Sequence, residues 1–111
     1  MRRAQGIPAL AACLGALALP LCASIAAEAE NLRITMAAVS FSPPSISAHV
    51  GDVIEWSNED IVVHTATDRA KSFDVVILPD GKARTTLTKA GKVSYYCRYH
   101  PNMTGEIAVD P

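Results

Sequence analysis

Beyond residue 26 the chain predicts an all-β fold, an antiparallel β-sandwich of seven or eight strands. Three observations point there. Short stretches of alternating or β-branched residues recur, turn-forming residues separate them at close spacing, and no segment carries the apolar period of a helix. The stretch LRITMAAV sets Leu32, Ile34 and Met36 against Arg33 and Thr35, the alternation of a half-buried first strand. FSPPSISAHVGD turns at Pro43 and Pro44, extends, and turns again at Gly51 and Asp52. VIEWSNED is a strand ending in the polar turn Asn58 to Asp60, and the β-branched IVVHTAT follows. SFDVVILPDG runs to a Pro-Asp-Gly turn, KARTTLTKAGK turns at Ala90 and Gly91 into VSYYC, and GEIAVDP closes the chain. Alternation assigns Met36, Phe41 and Trp56 to the core. In VSYYC it gives Val93, Tyr95 and Cys97 one face, so a core-facing Val93 also brings the Cys97 thiol inward.

Residues 1–26 have the order of an export signal. Arg2 and Arg3 precede the uncharged run IPALAACLGALALPLCASIA, and the polar AEAEN comes next. Ala26, with Ser24 two places before it, suits a cleavage site, and Ala27 or Ala29 suits it nearly as well. The run is about long enough to span a bilayer, but Pro8, Pro20 and its small-residue end favour removal over a retained helix. LAAC, Leu10 to Cys13, resembles a lipoprotein box, yet the apolar stretch continues past Cys13, where such a box would close it. The two arginines lack the rest of a twin-arginine pattern. Ordinary secretory export to the periplasm, with no stable membrane anchor, is the expectation. Residues 27–111 then form one small domain with one core, expected to be a monomer.

Removal of the signal also removes Cys13 and Cys22, leaving Cys97 as the single thiol and excluding an internal disulfide. A lone thiol in an oxidising compartment pairs between chains or oxidises unless it is buried or metal-bound. Two of the ten basic side chains leave with the signal, so 8 face 11 acidic ones, a net charge of −3 with neutral histidines. The basic residues are scattered, which argues against a nucleic-acid partner.

Within CRYHPNM, Cys97, His100 and Met103 fall at equal three-residue intervals in a chain otherwise poor in these groups. They span six peptide steps, at most about 20 Å extended, so the loop must curl if their tips are to meet. Soft sulfur donors combined with imidazoles select copper, and two His, one Cys and a weak axial Met are the donor set of blue-copper electron-transfer sites. The loop supplies one His. Of the other two, His64 lies in VVHTAT, after the Asn58 to Asp60 turn, whereas His49 precedes a reverse turn with no donor nearby. His64 is the expected second imidazole and His49 a solvent-facing strand residue. Singly, Cys97 reads as a buried structural thiol, Met103 as core filling and His100 as a surface loop residue. Their spacing, the upstream His and the missing disulfide partner together favour the metal.

WSNEDIVVHTAT, followed some thirty residues on by AGKVSYYCRYHPNMTGEIAV, resembles a cupredoxin, closest to the amicyanin and plastocyanin group. The spacing Cys-x2-His-x2-Met is similar to the short ligand loop of amicyanins, and the likeness extends over nearly all of the mature chain through FSP, VGDVIEW and SFD. The resemblance implies an eight-stranded Greek-key, cupredoxin-like β-sandwich. It implies one type 1 copper ion at one end, held by His64, Cys97 and His100 with Met103 axial, and an electron port at the exposed edge of His100 beside Pro101. The group often carries Asn after the upstream His, tying the two ligand loops together. Here Thr65 stands in that place, and its hydroxyl could make a shorter tie. Amicyanins also tend to have Pro on both sides of the loop His, where this chain has Tyr99 and Pro101.

Three function classes follow. The first is a soluble blue-copper electron carrier, no enzyme, shuttling between exported redox proteins such as a dehydrogenase and a c-type cytochrome. The second is a copper storage or delivery protein holding Cu(I), which favours exposed Met- and His-rich sites. The third, a copper oxidase or nitrite reductase, requires a His beside the Cys, where this chain has Tyr96 and Arg98. The carrier leads. Arg98 and Tyr99 are surface residues in this reading, and partner contacts by conjecture.

Overall fold

A computed structural model describes Ala29 and residues 31–111. The export-signal reading of residues 1–26 therefore lies outside the described residues. Nine strands and no helix make up the described part: β1 (Asn31–Ala37), β2 (Ser40–Ser42), β3 (Ser45–His49), β4 (Val53–Asn58), β5 (His64–Asp68), β6 (Asp74–Ile77), β7 (Lys82–Thr86), β8 (Gly91–Cys97) and β9 (His100–Asp110). They form a four-stranded sheet in the order β2-β1-β4-β7 and a five-stranded sheet in the order β3-β9-β8-β5-β6.

The two sheets meet across one aromatic core. Trp56 on β4 packs against Tyr95 on β8 with ring centroids 5.1 Å apart, and Phe41 on β2 reaches the same Tyr95 at 4.7 Å. Both contacts are edge-on, the arrangement ring quadrupoles favour. Trp56 is fully buried, and its indole N–H donates to Thr85 Oγ1 at 2.9 Å, so burial leaves no orphan donor. Ile34, Met36, Phe41 and Trp56 are all buried, as their alternation predicts.

The sandwich is the expected all-β architecture, with one more strand than the upper expectation and with mixed rather than wholly antiparallel sheets. β1 runs parallel to β4, and β3 parallel to β9. The chain changes sheet between β2 and β3, at Pro43 and Pro44, and returns for β4. Parallel and antiparallel strands share a two-residue side-chain period, so alternation cannot tell them apart.

Three local features shape one end of the molecule. The β1–β2 connection is a two-residue turn closed by the pair Ala37 and Ser40, in which Ala38 (φ 52°) and Val39 (φ 57°) are both left-handed. Such turns usually carry Asn or Gly, because a Cβ disfavours that region. β5 begins at His64 rather than at Ile61. The Asn58 amide donates to Val62 O at 2.8 Å and to Ile77 O at 3.1 Å, which fixes the preceding residues as a loop and leaves Ile61 93% exposed. Finally, β8 and β9 form a hairpin whose turn is only Arg98 and Tyr99, with Cys97 and His100 paired across it.

Candidate metal centre

The hairpin explains how the curled loop is achieved. His100 and Met103 stand on β9 itself, where a loop was expected, and the two-residue turn returns His100 beside Cys97. Cys97 ends β8 on its inward face, fully buried like Tyr95 two residues before it, as strand parity predicts. His64 opens β5, the neighbour of β8, and is also fully buried.

These elements bring three donor atoms together. Cys97 Sγ lies 3.6 Å from His100 Nδ1 and 3.8 Å from His64 Nδ1, and the three residues offer ligand atoms all within 4.8 Å of one another. The imidazole planes cross at 65° with centroids 5.0 Å apart. Of the three, His100 alone is half-buried. Met103 is buried on the inward face of β9, and with Val39, His100, Pro101 and Asn102 it borders a shallow surface depression. His49 is exposed at the end of β3, its backbone N–H on the Asp52 carboxylate at 2.8 Å, and takes no part.

The surroundings prepare the thiol for a cation. Burial alone would raise its pKa, but Thr65 N–H at 3.3 Å, the His100 and His64 rings and the Tyr99 N–H outweigh it and bring Cys97 down from 9.0 to about 6. Thiolate is then the main form at neutral pH, and thiolate is the species that binds metal.

Two supporting groups complete the site. Thr65 does make the tie between the ligand segments, since its Oγ1 accepts the Arg98 N–H at 2.8 Å. That hydroxyl also meets Thr67 Oγ1 at 3.0 Å, Thr67 donates to Asp74 Oδ1 at 2.8 Å, and the Arg98 guanidinium donates to the same Asp74 oxygen at 3.1 Å. The turn is thus fastened by backbone and side chain to β5 and β6. The second group is Asp60, to which the sequence assigns only a place in a polar turn. Its Oδ2 lies 2.7 Å from His64 Nε2, while the carboxylate accepts N–H bonds from Ala38 at 2.7 Å and Val39 at 2.9 Å. Burial pushes the Asp60 carboxyl up, but Val39 N–H, the His64 ring and Ala38 N–H prevail and hold it below the ordinary carboxylate value. An ionised carboxylate can only accept, so the His64 Nε2 that faces it carries a proton. Its position four residues before His64 was the available signal.

Comparison with known proteins bears directly on this arrangement. A family model described as a cupredoxin-like domain matches residues 9–109. The chain belongs to the cupredoxin-like family. Amicyanin from Paracoccus denitrificans is 26% identical to this cupredoxin over 83 residues, which cover 69% of the chain and 63% of that protein. Among solved structures, a reduced amicyanin variant superposes with a TM-score of 0.63 at 22% identity, covering 71% of this chain and 81% of that one. A purple cupredoxin from Nitrosopumilus maritimus gives 0.64 at 22% identity, covering 71% of this chain and 99% of that one. At such identities the structural likeness speaks for the fold. The metal is argued from the donors. A buried thiolate and two imidazole nitrogens within 4.8 Å of one another are the soft, nitrogen-rich set that copper takes, and the residues fit it.

Proposed function

We propose that this cupredoxin is a periplasmic, monomeric electron carrier with one type 1 copper ion, which His64, Cys97, His100 and Met103 would hold. The observation that carries the proposal is the buried gathering of Cys97 Sγ with two imidazole Nδ1 atoms. When bound, copper supplies a one-electron Cu(I)/Cu(II) couple. The chain's part is to hold the donors in one compromise geometry, so that little rearrangement accompanies electron gain or loss. The Arg98–Tyr99 turn fixes Cys97 against His100, Thr65 clasps that turn to His64, and burial of Cys97 and His64 keeps bulk water from the thiolate. The half-buried His100 ring, beside exposed Pro101, is the route by which electrons leave. No substrate bond is made or broken, so the protein is no enzyme.

Exported redox proteins, a dehydrogenase as donor and a c-type cytochrome as acceptor, suit such a carrier as transient partners. The expected mature net charge of −3 favours basic partner surfaces. Burial of the thiol speaks against copper delivery, which needs donors within reach of a second chain. Adding Cu(II) to the mature protein tests the reading. A strong thiolate-to-copper band at about 600 nm with a reversible voltammetric wave supports the carrier, whereas colourless, Cu(I)-only binding overturns it in favour of storage or delivery.

A further inference from the structure

Asp60 does more than end a turn. Its carboxylate stands between His64, a proposed ligand, and the Ala38–Val39 turn of the other sheet, and it bonds to both. The backbone N–H of Asp60 is itself held by Asn58 Oδ1 at 2.8 Å, and Asn58 is almost fully buried, so the carboxylate is anchored from its own segment as well. The left-handed Ala38 and Val39 point two successive N–H groups at one carboxylate, one to each oxygen. That pairing leaves Oδ2 to take the His64 ring from the side opposite its Nδ1.

We propose that Asp60 is a positioning residue for the metal centre, fixing the tautomer and ring orientation of His64 and strengthening its Nδ1 as a donor by placing a negative charge on Nε2–H. The inference rests on the copper reading above. Through Asp60 the β1–β2 turn, which contributes no proposed ligand, sets the angle at which His64 presents its lone pair. A carboxylate on the far nitrogen makes an imidazole more basic and favours the more highly charged metal ion, here Cu(II) over Cu(I). The expected consequence is a reduction potential lower than the same four ligands would give with a neutral partner on Nε2.

The test compares the mature protein with Asp60→Asn, which keeps a carbonyl acceptor but removes the charge, and with Asp60→Ala, which removes both. Asp60→Asn is expected to shift the balance toward Cu(I) by about three- to ten-fold, ~30–60 mV upward for a one-electron couple. Cu(II) affinity in a competition titration should fall about ten-fold or more. His49→Ala, at an exposed residue outside the donor group and its anchors, should leave the potential where it was. Nitrogen-15 correlation spectra of the copper-free protein provide a readout that needs no metal. His64 should be protonated on Nε2 with a strongly deshielded, slowly exchanging proton, and Asp60→Ala should lose that signature. An unchanged potential in Asp60→Asn, or a copper-free wild type with its His64 proton on Nδ1, overturns the assignment while the copper site stands. Failure of the wild type to form a thiolate–copper band removes the copper reading instead. The copper-free spectra then still decide whether Asp60 holds the ring.

Discussion

The two sheets contribute unequally to the metal centre. The five-stranded sheet carries every proposed ligand, His64 at the start of β5, Cys97 at the end of β8, and His100 and Met103 on β9. The four-stranded sheet carries none, yet its β1–β2 turn and the loop leaving β4 hold the Asp60 carboxylate against His64. Donor identity thus belongs to one sheet and part of donor orientation to the other. Changes in the first should switch the centre on or off, and changes in the second should tune it.

The largest effect expected on the donor side is that of Cys97→Ser, which replaces the only thiol among the described residues with a hard, neutral hydroxyl. The band at about 600 nm should vanish, while His49→Ala, at an exposed residue remote from the three donors, should leave it intact. Visible spectra of the two copper-loaded variants decide the matter. Colour surviving in the first and lost in the second would reverse the ligand assignment.

The next effect is the pH response of the copper-free protein. Cys97 has a folded-state pKa of about 6 against an ordinary 9.0. A depressed pKa means that the folded form binds its proton less readily than the unfolded one. The stabilisation from Cys97 is therefore complete above about pH 9, and it is lost as pH falls to and through 6. Thiolate absorbance in the ultraviolet should titrate with a midpoint near 6, and the denaturation midpoint should gain from this group between pH 6 and 9. Thiolate formation only at pH 8 or above would show that Thr65 N–H and the two rings fail to offset burial.

How much of this was legible beforehand differs between the same two regions. The donor side could be read because three of its residues fall in seven consecutive positions, and because strand parity ties Cys97 to Tyr95 and Val93. The tie from Thr65 could be anticipated from its place beside His64. The anchoring side was illegible for two reasons. Pairing of β1 with β4 leaves no trace in side-chain alternation, and Ala38 and Val39 are residues that ordinarily argue against a left-handed turn. Only the fold shows that the Asp60 carboxylate meets both of their N–H groups. β5 starts three residues later than its β-branched run predicts, because the strand propensity of Ile61, Val62 and Val63 is overridden by the Asn58 side-chain bonds to Val62 and Ile77.

Beneath both regions lies the aromatic core, where effects should be smaller and confined to stability. A methyl group on Gly105 of β9 would run into Tyr95 Cζ and Oη, and that ring is wedged against Phe41 and Trp56. Gly105→Ala should therefore cost about 1–3 kcal/mol of unfolding free energy through overpacking. Copper-bound colour should persist, because Tyr95 is not among the donors. Chemical denaturation with and without copper would measure both, and an unchanged midpoint would mean that the ring has room to move.

The smallest effect concerns the other end of the same side chain. Tyr95 is fully buried, its hydroxyl has no hydrogen-bond partner among the described residues, and burial raises its pKa above the ordinary phenol value. A buried hydroxyl without a partner loses its hydration and receives nothing in exchange, a cost of about 1–3 kcal/mol. Tyr95→Phe removes that cost and keeps the edge-on contacts to Phe41 and Trp56, which depend on the ring rather than on the oxygen. Set against it is the packing lost with one atom, so the net change should run from zero to a gain of about 1 kcal/mol. The potential should not move, because the hydroxyl bonds to neither a proposed ligand nor Asp60. A loss of more than about 1 kcal/mol in equilibrium denaturation would show that the hydroxyl has a partner in solution after all. It would also show that the core interior, and not only the metal end, depends on a polar contact between the sheets.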